Sequence, residues 1–313
     1  MPPRGRAEVQ ELVGRIAVVT GSASGLGRAM AERFGSEGMT VVIADNRLGD
    51  AEIVAGEIAA KGGRAVAMPV DVTKRDSVVA LADRVDAELG GASLLVNNAG
   101  VAAPSTYLEA DEQAWRWVMD VNVFGVLYGM QTFVPRMLAR GGEGHVVSTS
   151  SFGGLIGPNC FEGNRFPLAD GEASRGRGMQ SYMVSKHAVV ALSEGLAGDL
   201  KGTPIGVSVL CPAHHDNTGI YENSARFRPA EYGGPNEEAA QMAEDVAKRR
   251  PEKGKDPSEL AGRVVRAVRE GHFYIFTHPE NRFIVEQRFR QILAGFDDAA
   301  SFVGSLGPET GVA

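Results

Sequence analysis

The chain has 313 residues, of which 43% are hydrophobic and 23% charged, and a formal net charge of −7. This is an ordinary globular composition, which excludes disordered, collagen-like and coiled-coil classes. Its acidic balance gives no electrostatic footprint for nucleic acid or an anionic membrane, and no apolar run approaches the roughly 20 residues of a membrane-spanning helix. We therefore expect a cytoplasmic protein whose partner is a small molecule, with no nucleic-acid or membrane partner.

Short apolar, β-branched runs alternate with longer helical stretches along the chain. Strands are predicted at residues 16–20, 40–44, 65–70, 93–96, 145–149, 205–210 and 273–276. Helices are predicted at residues 26–36, 51–61, 77–89 and 115–140. Parallel strands need crossover helices, and right-handed crossovers place helices on both faces of a sheet. The pattern predicts a single α/β domain over residues 1–313, with a doubly wound, seven-stranded parallel sheet.

The turn after the first predicted strand has the spacing TGxxxGxG over residues 20–27. Glycine lets the backbone approach a pyrophosphate closely, and the helix that follows offers free N–H groups to negative charge. This predicts a phosphate cradle made by Gly21, Ser24, Gly25, Leu26 and Gly27. Glycine-rich turns also arise for packing alone, and the preceding strand and the following acid favour the cradle.

That acid is Asp45, which follows the second predicted strand. Its carboxylate can accept hydrogen bonds from both hydroxyls of an adenosine ribose and repels a 2′-phosphate. NAD is therefore favoured over NADP as the cofactor. Arg28 and Arg47 either offset part of that repulsion or lie on the solvated surface.

Tyr182 and Lys186 are four residues apart in a stretch with helical spacing of its apolar residues, so they share one helix face. A free tyrosine has a pKa of about 10, and a nearby cation favours its phenolate. The pair is either an acid/base couple or a surface aromatic beside a solvated lysine.

Four motifs occur in order: TGxxxGxG at residues 20–27, NNAG at residues 97–100, Ser151 two residues before a glycine pair, and YxxxK at residues 182–186. As a set, covering approximately residues 14–212, they resemble the short-chain dehydrogenase/reductase family. The resemblance implies a Rossmann-type fold, a nicotinamide cofactor, and hydride transfer at a secondary alcohol or ketone.

The resemblance also implies roles for individual residues. Tyr182 would be the general acid/base, Lys186 would hold the nicotinamide ribose and lower the tyrosine pKa, and Ser151 would hydrogen-bond the substrate oxygen. Asn122 matches an asparagine that positions a water in a proton relay, although a helix-interior asparagine with a local backbone bond is the other interpretation. Ser150 is expected to point elsewhere.

Further cofactor contacts are implied at the other strand ends. Asp71 and Val72 would contact adenine, although Asp71 equally suits a turn that closes the third strand. Asn98, Ala99 and Gly100 would pass beneath the cofactor. Pro212 and Ala213 would border the nicotinamide, and Thr218 would reach its carboxamide. Tyr182 and Lys186 complete the cofactor contacts.

Two departures from the family pattern stand out. The connection between Ser151 and Tyr182 is longer than usual, which predicts a lid-like insertion at about residues 157–180, unless the insertion displaces Tyr182. A substrate loop and C-terminal extension are expected over about residues 213–313. There the adjacent His214 and His215 suggest a substrate contact or solvated loop histidines; no metal site is predicted.

The extension also bears on substrate and partners. Residues 222–234 look similar to a stretch in bacterial dehydrogenases that act on lignin-derived aryl alcohols, so Phe227 and Tyr232 either pack against a hydrophobic or aromatic alcohol or pin the loop. Residues 123–138 are apolar on nearly every side, which predicts a homodimer or homotetramer. Residues 279–296 are expected to pack on the core or on another subunit.

The leading hypothesis is an NAD-dependent oxidoreductase that interconverts a secondary alcohol and a ketone. An NADP-dependent ketoreductase, a lyase or epimerase that recycles its cofactor, and a non-catalytic dinucleotide-binding regulator are the alternatives. Intact Ser151, Tyr182 and Lys186 count against the regulator, because a binding module has no need of all three.

Overall fold

Seven parallel strands form one sheet, as predicted, in the order β3-β2-β1-β4-β5-β6-β7. The structure is a computed structural model that describes residues 11–103, 111–157, 179–215, 218–237, 240–241, 244 and 254–305. The strands are β1 Ile16–Thr20, β2 Thr40–Asp45, β3 Arg64–Pro69, β4 Leu94–Asn97, β5 Gly144–Thr149, β6 Ile205–Cys211 and β7 Tyr274–Phe276. The strand order reverses between β1 and β4, and ligands of such sheets bind at the carboxyl edge of that switch point.

Helices cover both faces of the sheet. They are α1 Gly25–Ser36, α2 Leu48–Ala60, α3 Arg75–Leu89, α4 Glu112–Met119, α5 Gly125–Arg140, α6 Gln180–Asp199, α7 Ile220–Arg226, α8 Pro257–Glu270 and α9 Arg282–Ser305. Alternate residues of each strand point to opposite faces of the sheet. Val19 packs in a core with α1, α2 and α8, whereas Val18 packs in a core with α3, α5 and α6. None of the helices in these described segments has the length and apolarity needed to cross a bilayer.

The predicted continuous helix over residues 115–140 differs in two respects. It begins earlier, because the Asp111 carboxylate accepts hydrogen bonds from the backbone amides of Gln113 and Ala114 and caps α4. It is also interrupted by a π-helical segment, Asp120–Phe124, between α4 and α5. Such a wide turn is often found at functional sites, and this one carries Asn122. The lid-like insertion predicted at about residues 157–180 lies almost wholly outside the described residues.

A fully buried histidine lies in the middle of the sheet. His145 of β5 is 0% exposed, and its Nε2 is 2.7 Å from the Ser208 hydroxyl, which donates its own proton to the carbonyl of His272 at 2.6 Å. The imidazole is therefore the donor at Nε2. Its Nδ1 has no hydrogen-bond partner within the described part of the chain. Burial lowers the pKa of His145 to about 3.

Because His145 is buried and neutral, the free energy of unfolding should fall as the solution becomes acidic. An unfolded histidine has a pKa of about 6.5, so below that pH the unfolded state binds the proton and the folded state resists it. Stability is fully present above about pH 6.5 and falls by about 1.4 kcal/mol per pH unit towards pH 3. His145→Gln should therefore flatten the change in unfolding free energy between pH 7 and pH 5 by about 2 kcal/mol, measured by urea titration. His272→Gln, which removes a half-exposed imidazole beside Glu270, is the control for the loss of a histidine as such. Equal slopes for His145→Gln and the unmodified protein would contradict the assignment.

Candidate active site

The glycine turn between β1 and α1 is locked to the end of β4. The Thr20 hydroxyl accepts hydrogen bonds from the amides of Asn98 at 2.9 Å and Ala99 at 3.1 Å. In return the Asn98 side-chain amide donates to the carbonyls of Thr20 at 3.0 Å and Gly21 at 3.2 Å. The NNAG motif therefore fixes the conformation of the turn at the switch point. Thr20, which sequence reasoning did not single out, is recognisable only as the first letter of its motif.

Two glycines of this turn have no room for a side chain. A Cβ on Gly21, whose φ is +64°, would lie 2.7 Å from the Ala99 Cα. A Cβ on Gly27 would lie 2.3 Å from the Gly21 carbonyl oxygen and 2.5 Å from Asn98 Nδ2. The backbone therefore forms a shallow cradle at the start of α1, where the first helical amides lack intrahelical acceptors. Such a backbone has room and free amides for a pyrophosphate, and the phosphate cradle stays a prediction.

The other residues predicted to form the cradle lie between Gly21 and Gly27. Ser24 precedes α1, and its hydroxyl accepts a hydrogen bond from Arg47 at 3.1 Å. Gly25 has a φ of +56°, and a Cβ there would lie 2.8 Å from the Thr218 carbonyl. Leu26 packs against the core on the α1 side of the sheet. Thr218 thus lies beside the phosphate end of the turn.

Asp45 is the last residue of β2 and is only 5% exposed. Its Oδ2 accepts from the amide of Ala23 at 3.0 Å and its Oδ1 from the amide of Arg47 at 3.0 Å. These bonds hold the carboxylate beside the glycine turn, where an adenosine ribose would lie. The Arg47 guanidinium pairs with Asp50 at 2.9 Å and lies 4.9 Å from the ring centre of Phe227. Arg28 is turned to Glu32 and Glu57.

Asp71 follows β3 and closes a turn. Its Oδ1 accepts from the Thr73 amide at 2.9 Å and from the Thr73 hydroxyl at 2.7 Å, while its own amide donates to Ser77. Val72 is 9% exposed and packs against Gly125 of α5. The turn interpretation therefore describes Asp71, which still lies at the carboxyl edge of the sheet.

Ser151, Tyr182 and Lys186 converge beyond the end of β5. The Ser151 hydroxyl accepts from the Gly153 amide at 3.1 Å and lies near enough to the Tyr182 phenol to lower the pKa of that phenol. Lys186 is 3% exposed, its Nζ donates to the Thr149 carbonyl at 2.9 Å, and this Nζ lies 5.4 Å from the centre of the Tyr182 ring. The insertion between residues 151 and 182 thus leaves the three side chains together. The neighbouring Ser150 points away, because its hydroxyl donates to the Lys186 carbonyl at 2.7 Å.

Burial controls the charges of this group. It raises the pKa of the Tyr182 phenol above its ordinary value, and the nearby Tyr221 phenol raises it further, while the neighbouring Ser151 hydroxyl opposes the shift. It lowers the pKa of Lys186 to about 8. At neutral pH the tyrosine is therefore protonated and the lysine is mostly charged. Sequence reasoning missed Tyr221, because nothing in its local pattern places it near residue 182.

Asn122 ties the π-helical segment to two parts of the site. Its Nδ2 donates to the Val101 carbonyl and to the Ser185 hydroxyl, both at 2.9 Å, and its Oδ1 accepts from the Val101 amide at 2.8 Å. These bonds are long-range, so the interpretation of a local backbone bond does not apply. Gly100 lies beside Lys186, since a Cβ on Gly100 would be 3.4 Å from the Lys186 Nζ. Ser185, the fourth residue of YxxxK, was also missed by the sequence analysis.

The segment after β6 borders the site from the other side. The Pro212 carbonyl accepts from the Phe152 amide at 2.8 Å, and the Ala213 amide faces the Thr277 hydroxyl at 3.3 Å. His215 is buried, with Nδ1 3.0 Å from the Ala213 carbonyl and its ring 5.2 Å from that of His278. Within the described segments, no group of three or more His, Cys, Asp or Glu residues is placed to hold a metal ion.

The two aromatics singled out after β6 pin their loop to the body. The Tyr232 hydroxyl donates to Asp120 at 2.8 Å, and its ring lies 6.5 Å from that of Trp117. Phe227 lies under Arg47, as described above. The alternative of a pinned loop therefore describes both residues.

An apolar wall adjoins the Ser151–Tyr182 pair. Its buried or partly buried members are Phe152, Leu155, Ile156, Met183, Ile284 and Val285. Arg288 of α9 holds this wall together, because its Nη1 donates to the Leu155 carbonyl at 2.7 Å and to His187 Nε2 at 3.0 Å. The start of the C-terminal helix therefore packs on the body, as one of the two sequence interpretations expected. Arg288 was missed, since an arginine in an amphipathic tail carries no local signal.

Known proteins with similar sequence and structure carry the same fold. The family model described as short chain dehydrogenase matches residues 15–162. The C alpha-dehydrogenase of Sphingobium sp. (strain NBRC 103272 / SYK-6) is 34% identical over 284 residues, covering 89% of this chain and 85% of that protein. The 1-deoxy-11-beta-hydroxypentalenate dehydrogenase of Streptomyces exfoliatus is 33% identical over 281 residues, covering 89% of this chain and 88% of that protein. A short chain dehydrogenase/reductase from Burkholderia phymatum, crystallised in complex with NAD, is 33% identical, has a TM-score of 0.79, and is matched over 92% of this chain and 97% of that chain.

Fold, site and relatives together define an oxidoreductase that uses NAD(P). The chain belongs to the short-chain dehydrogenase/reductase family. The family resemblance drawn from the motifs is therefore confirmed, and so is the prediction of an enzyme.

Proposed function

We propose that this protein is an NAD-dependent dehydrogenase that oxidises a hydrophobic or aromatic secondary alcohol to a ketone, and that reduces the ketone in the reverse direction. The observation that carries the proposal is the convergence of Ser151, Tyr182 and Lys186 beyond β5, with the Lys186 ammonium 5.4 Å from the centre of the phenol ring. A group that binds an alcohol oxygen, a group that exchanges its proton and a cation that favours the phenolate are thereby in one place.

Each of the three side chains has a distinct part in this proposal. The bound cofactor supplies the hydride acceptor or donor. The Ser151 hydroxyl orients the substrate oxygen, and the Tyr182 phenol takes the alcohol proton in oxidation or gives its proton to the ketone oxygen in reduction. Lys186, anchored on the Thr149 carbonyl, supplies the positive charge that lowers the cost of the phenolate. Asn122 braces the site through Val101 and Ser185, and a water-positioning role for it stays a prediction.

The cofactor is proposed to lie across the carboxyl edge of β1 and β4. Its pyrophosphate would lie on the cradle of residues 21–27, its adenine near Asp71 and Val72, and its nicotinamide between residues 98–100 and Pro212–Ala213. Thr218, beside Gly25, would then contact the phosphate half rather than the carboxamide alone. NAD is proposed rather than NADP, because Asp45 presents a buried carboxylate to the ribose.

An apolar substrate is favoured by the wall beside the Ser151–Tyr182 pair. Phe152, Leu155 and Met183 belong to that wall and pack with Ile284 of the C-terminal helix. An apolar surface of this kind favours a hydrophobic or aromatic group on the alcohol carbon. The names of the two dehydrogenases compared above agree with a secondary alcohol as substrate.

The test is NADH formation with panels of aryl, alicyclic and steroid secondary alcohols. Net accumulation of NADH with an aryl or alicyclic alcohol is expected, together with ketone product. A lyase or epimerase that recycles its cofactor would convert substrate with no net NADH, and that outcome would overturn the proposal. Primary alcohols of the same skeletons are the matched controls for substrate class.

Asp45→Ala is expected to shift the cofactor preference. Losing a charged acceptor of ribose hydroxyls costs about 1.5–3 kcal/mol, so NAD should bind roughly tenfold or more weakly, while NADP, no longer repelled, should bind more tightly. Fluorescence titration of both cofactors measures the two dissociation constants. Asp50→Ala is the control, because Asp50 pairs with Arg47, whose amide binds Asp45. Asp50 is itself half exposed on α2. An unchanged ratio of NAD to NADP affinity in Asp45→Ala would contradict the assignment.

A further inference from the structure

The second half of α9 carries a run of exposed apolar side chains. Ile284, in the first turn, is 8% exposed and packs on Ile156. Beyond Arg288 five large apolar side chains on one side of the helix face solvent: Phe289 is 55% exposed, Ile292 44%, Leu293 59%, Phe296 70% and Val303 59%, while Phe302, 64% exposed, lies on the side of Ile284. Single exposed apolar residues are ordinary, but a contiguous patch of this kind marks an interaction surface.

These side chains follow the spacing of a helix–helix seam. Phe289, Phe296 and Val303 are seven residues apart, and Ile292 and Leu293 lie three and four residues after Phe289. At about 100° per residue they form one stripe along the helix, here called the α9 stripe. The stripe is turned about a third of a turn away from Ile284 and Arg288, which contact the body of the protein. Val285, seven residues before Ile292, continues the line of the stripe and packs in the apolar wall, so the α9 stripe is distinct from the anchoring contacts beyond Arg288, where its side chains are exposed.

Two residues of opposite charge lie beside the stripe, a basic one nearer the start of the helix and an acidic one nearer its end. Arg290 and Asp297 are seven residues apart, so both border the α9 stripe on the same side. The Arg290 side chain is 80% exposed and lies 3.8 Å from Glu286, and Asp297 is exposed. Two α9 helices that meet antiparallel about a two-fold axis near Leu293 put Arg290 of each copy beside Asp297 of the other. In a parallel two-fold pair the Arg290 and Asp297 of the two copies would lie on opposite edges of the seam and would not pair.

We propose that the α9 stripe binds a second copy of this chain, with the two α9 helices antiparallel, stripe against stripe, and Arg290 paired reciprocally with Asp297. Such an interface is self-complementary, as two-fold symmetry requires. It is also connected to the site, because Arg288 of the same helix holds the Leu155 carbonyl and His187 beside the apolar wall. Pairing of the helices would therefore stiffen that wall in both copies.

The first test is charge reversal measured by sedimentation velocity over a range of concentrations of the full chain. Arg290→Asp and Asp297→Arg should each raise the dimer dissociation constant about tenfold or more, because each places like charges together twice in the symmetric pair. The double variant should restore the affinity of the unmodified protein. Asp298→Arg is the matched control, since Asp298 lies on the opposite side of the helix from the stripe, and it should leave the constant unchanged.

The second test is a crosslink at the two-fold axis. Leu293→Cys, made in a Cys160→Ser background because the other cysteine, Cys211, is buried, should give a disulfide-linked dimer on oxidation. Gln287→Cys, on the far side of the helix, should not. A chain that is monomeric at all concentrations would overturn the proposal. So would a dimer that neither crosslinks nor recovers in the double charge reversal, since α9 would then dock elsewhere, for example on the exposed Phe124, Leu138 and Val184 of a second copy.

Discussion

Tyr182→Phe is expected to reduce turnover by about 10²–10⁴-fold while NAD affinity stays within a factor of about two, because acid/base catalysis contributes that much and the ring itself remains. Proton exchange with the substrate oxygen depends on the phenol hydroxyl, which is the only group the substitution removes. Lys186 and the cradle of residues 21–27 are untouched, so cofactor binding persists. Steady-state kinetics in both directions and fluorescence titration with NAD measure the two quantities.

Tyr232→Phe is the matched control for that experiment. It also removes one phenol hydroxyl, which donates to Asp120 at 2.8 Å, away from Ser151 and Lys186. Turnover should therefore remain near that of the unmodified protein, with at most a small loss of stability of about 1 kcal/mol. Equal losses of turnover in the two variants, or full turnover in Tyr182→Phe, would remove the basis for the proposed chemistry.

Gly27→Ala is expected to abolish most of the cofactor binding. The added methyl group would lie 2.3 Å from the Gly21 carbonyl oxygen and 2.5 Å from Asn98 Nδ2, so the turn, the Asn98 side chain or both must move. Because those atoms form the lock between β1 and β4, the cradle loses its shape, and overpacking of this kind costs about 1–3 kcal/mol. NAD should bind at least about tenfold more weakly, and the rise in melting temperature on adding NAD should be largely lost.

Gly56→Ala is the control for Gly27→Ala, because Gly56 is a helical glycine with space around it. Gly56 is exposed in α2, and a Cβ there would meet nothing within 4 Å. Alanine at such a position stabilises a helix by about 0.5–1 kcal/mol, so the melting temperature should rise slightly and NAD binding should not change. An NAD-dependent melting shift that survives intact in Gly27→Ala would show that the pyrophosphate does not lie on this turn.

The strands of this protein were predictable from local sequence. The predicted range 16–20 coincides with β1, and most of the other predicted strands begin or end within about one residue of the observed ones. Apolar, β-branched runs bounded by turn residues are enough, because a strand buried on both faces needs apolar side chains at every position. The glycine turn was equally predictable, because the small residues that it requires are consecutive in the sequence.

Residues 115–140 show where local patterns stop being sufficient. Their apolar spacing predicts one regular helix, and the π-helical segment within it depends on Asn122 bonding to Val101 and Ser185, which are 21 and 63 residues away. Hydrogen bonds over such separations form only once β4 and α6 lie on either side of the segment. No helical periodicity carries that information.

The class of fold, the glycine turn and the acid at the end of β2 could be predicted from residues adjacent in the chain. Three contacts could not: Ser151 lies beside Tyr182 across a long insertion, Arg288 anchors the C-terminal helix near them, and Tyr232 binds Asp120. These contacts join side chains on separate elements, and the distances between them are set by how the elements pack on the sheet.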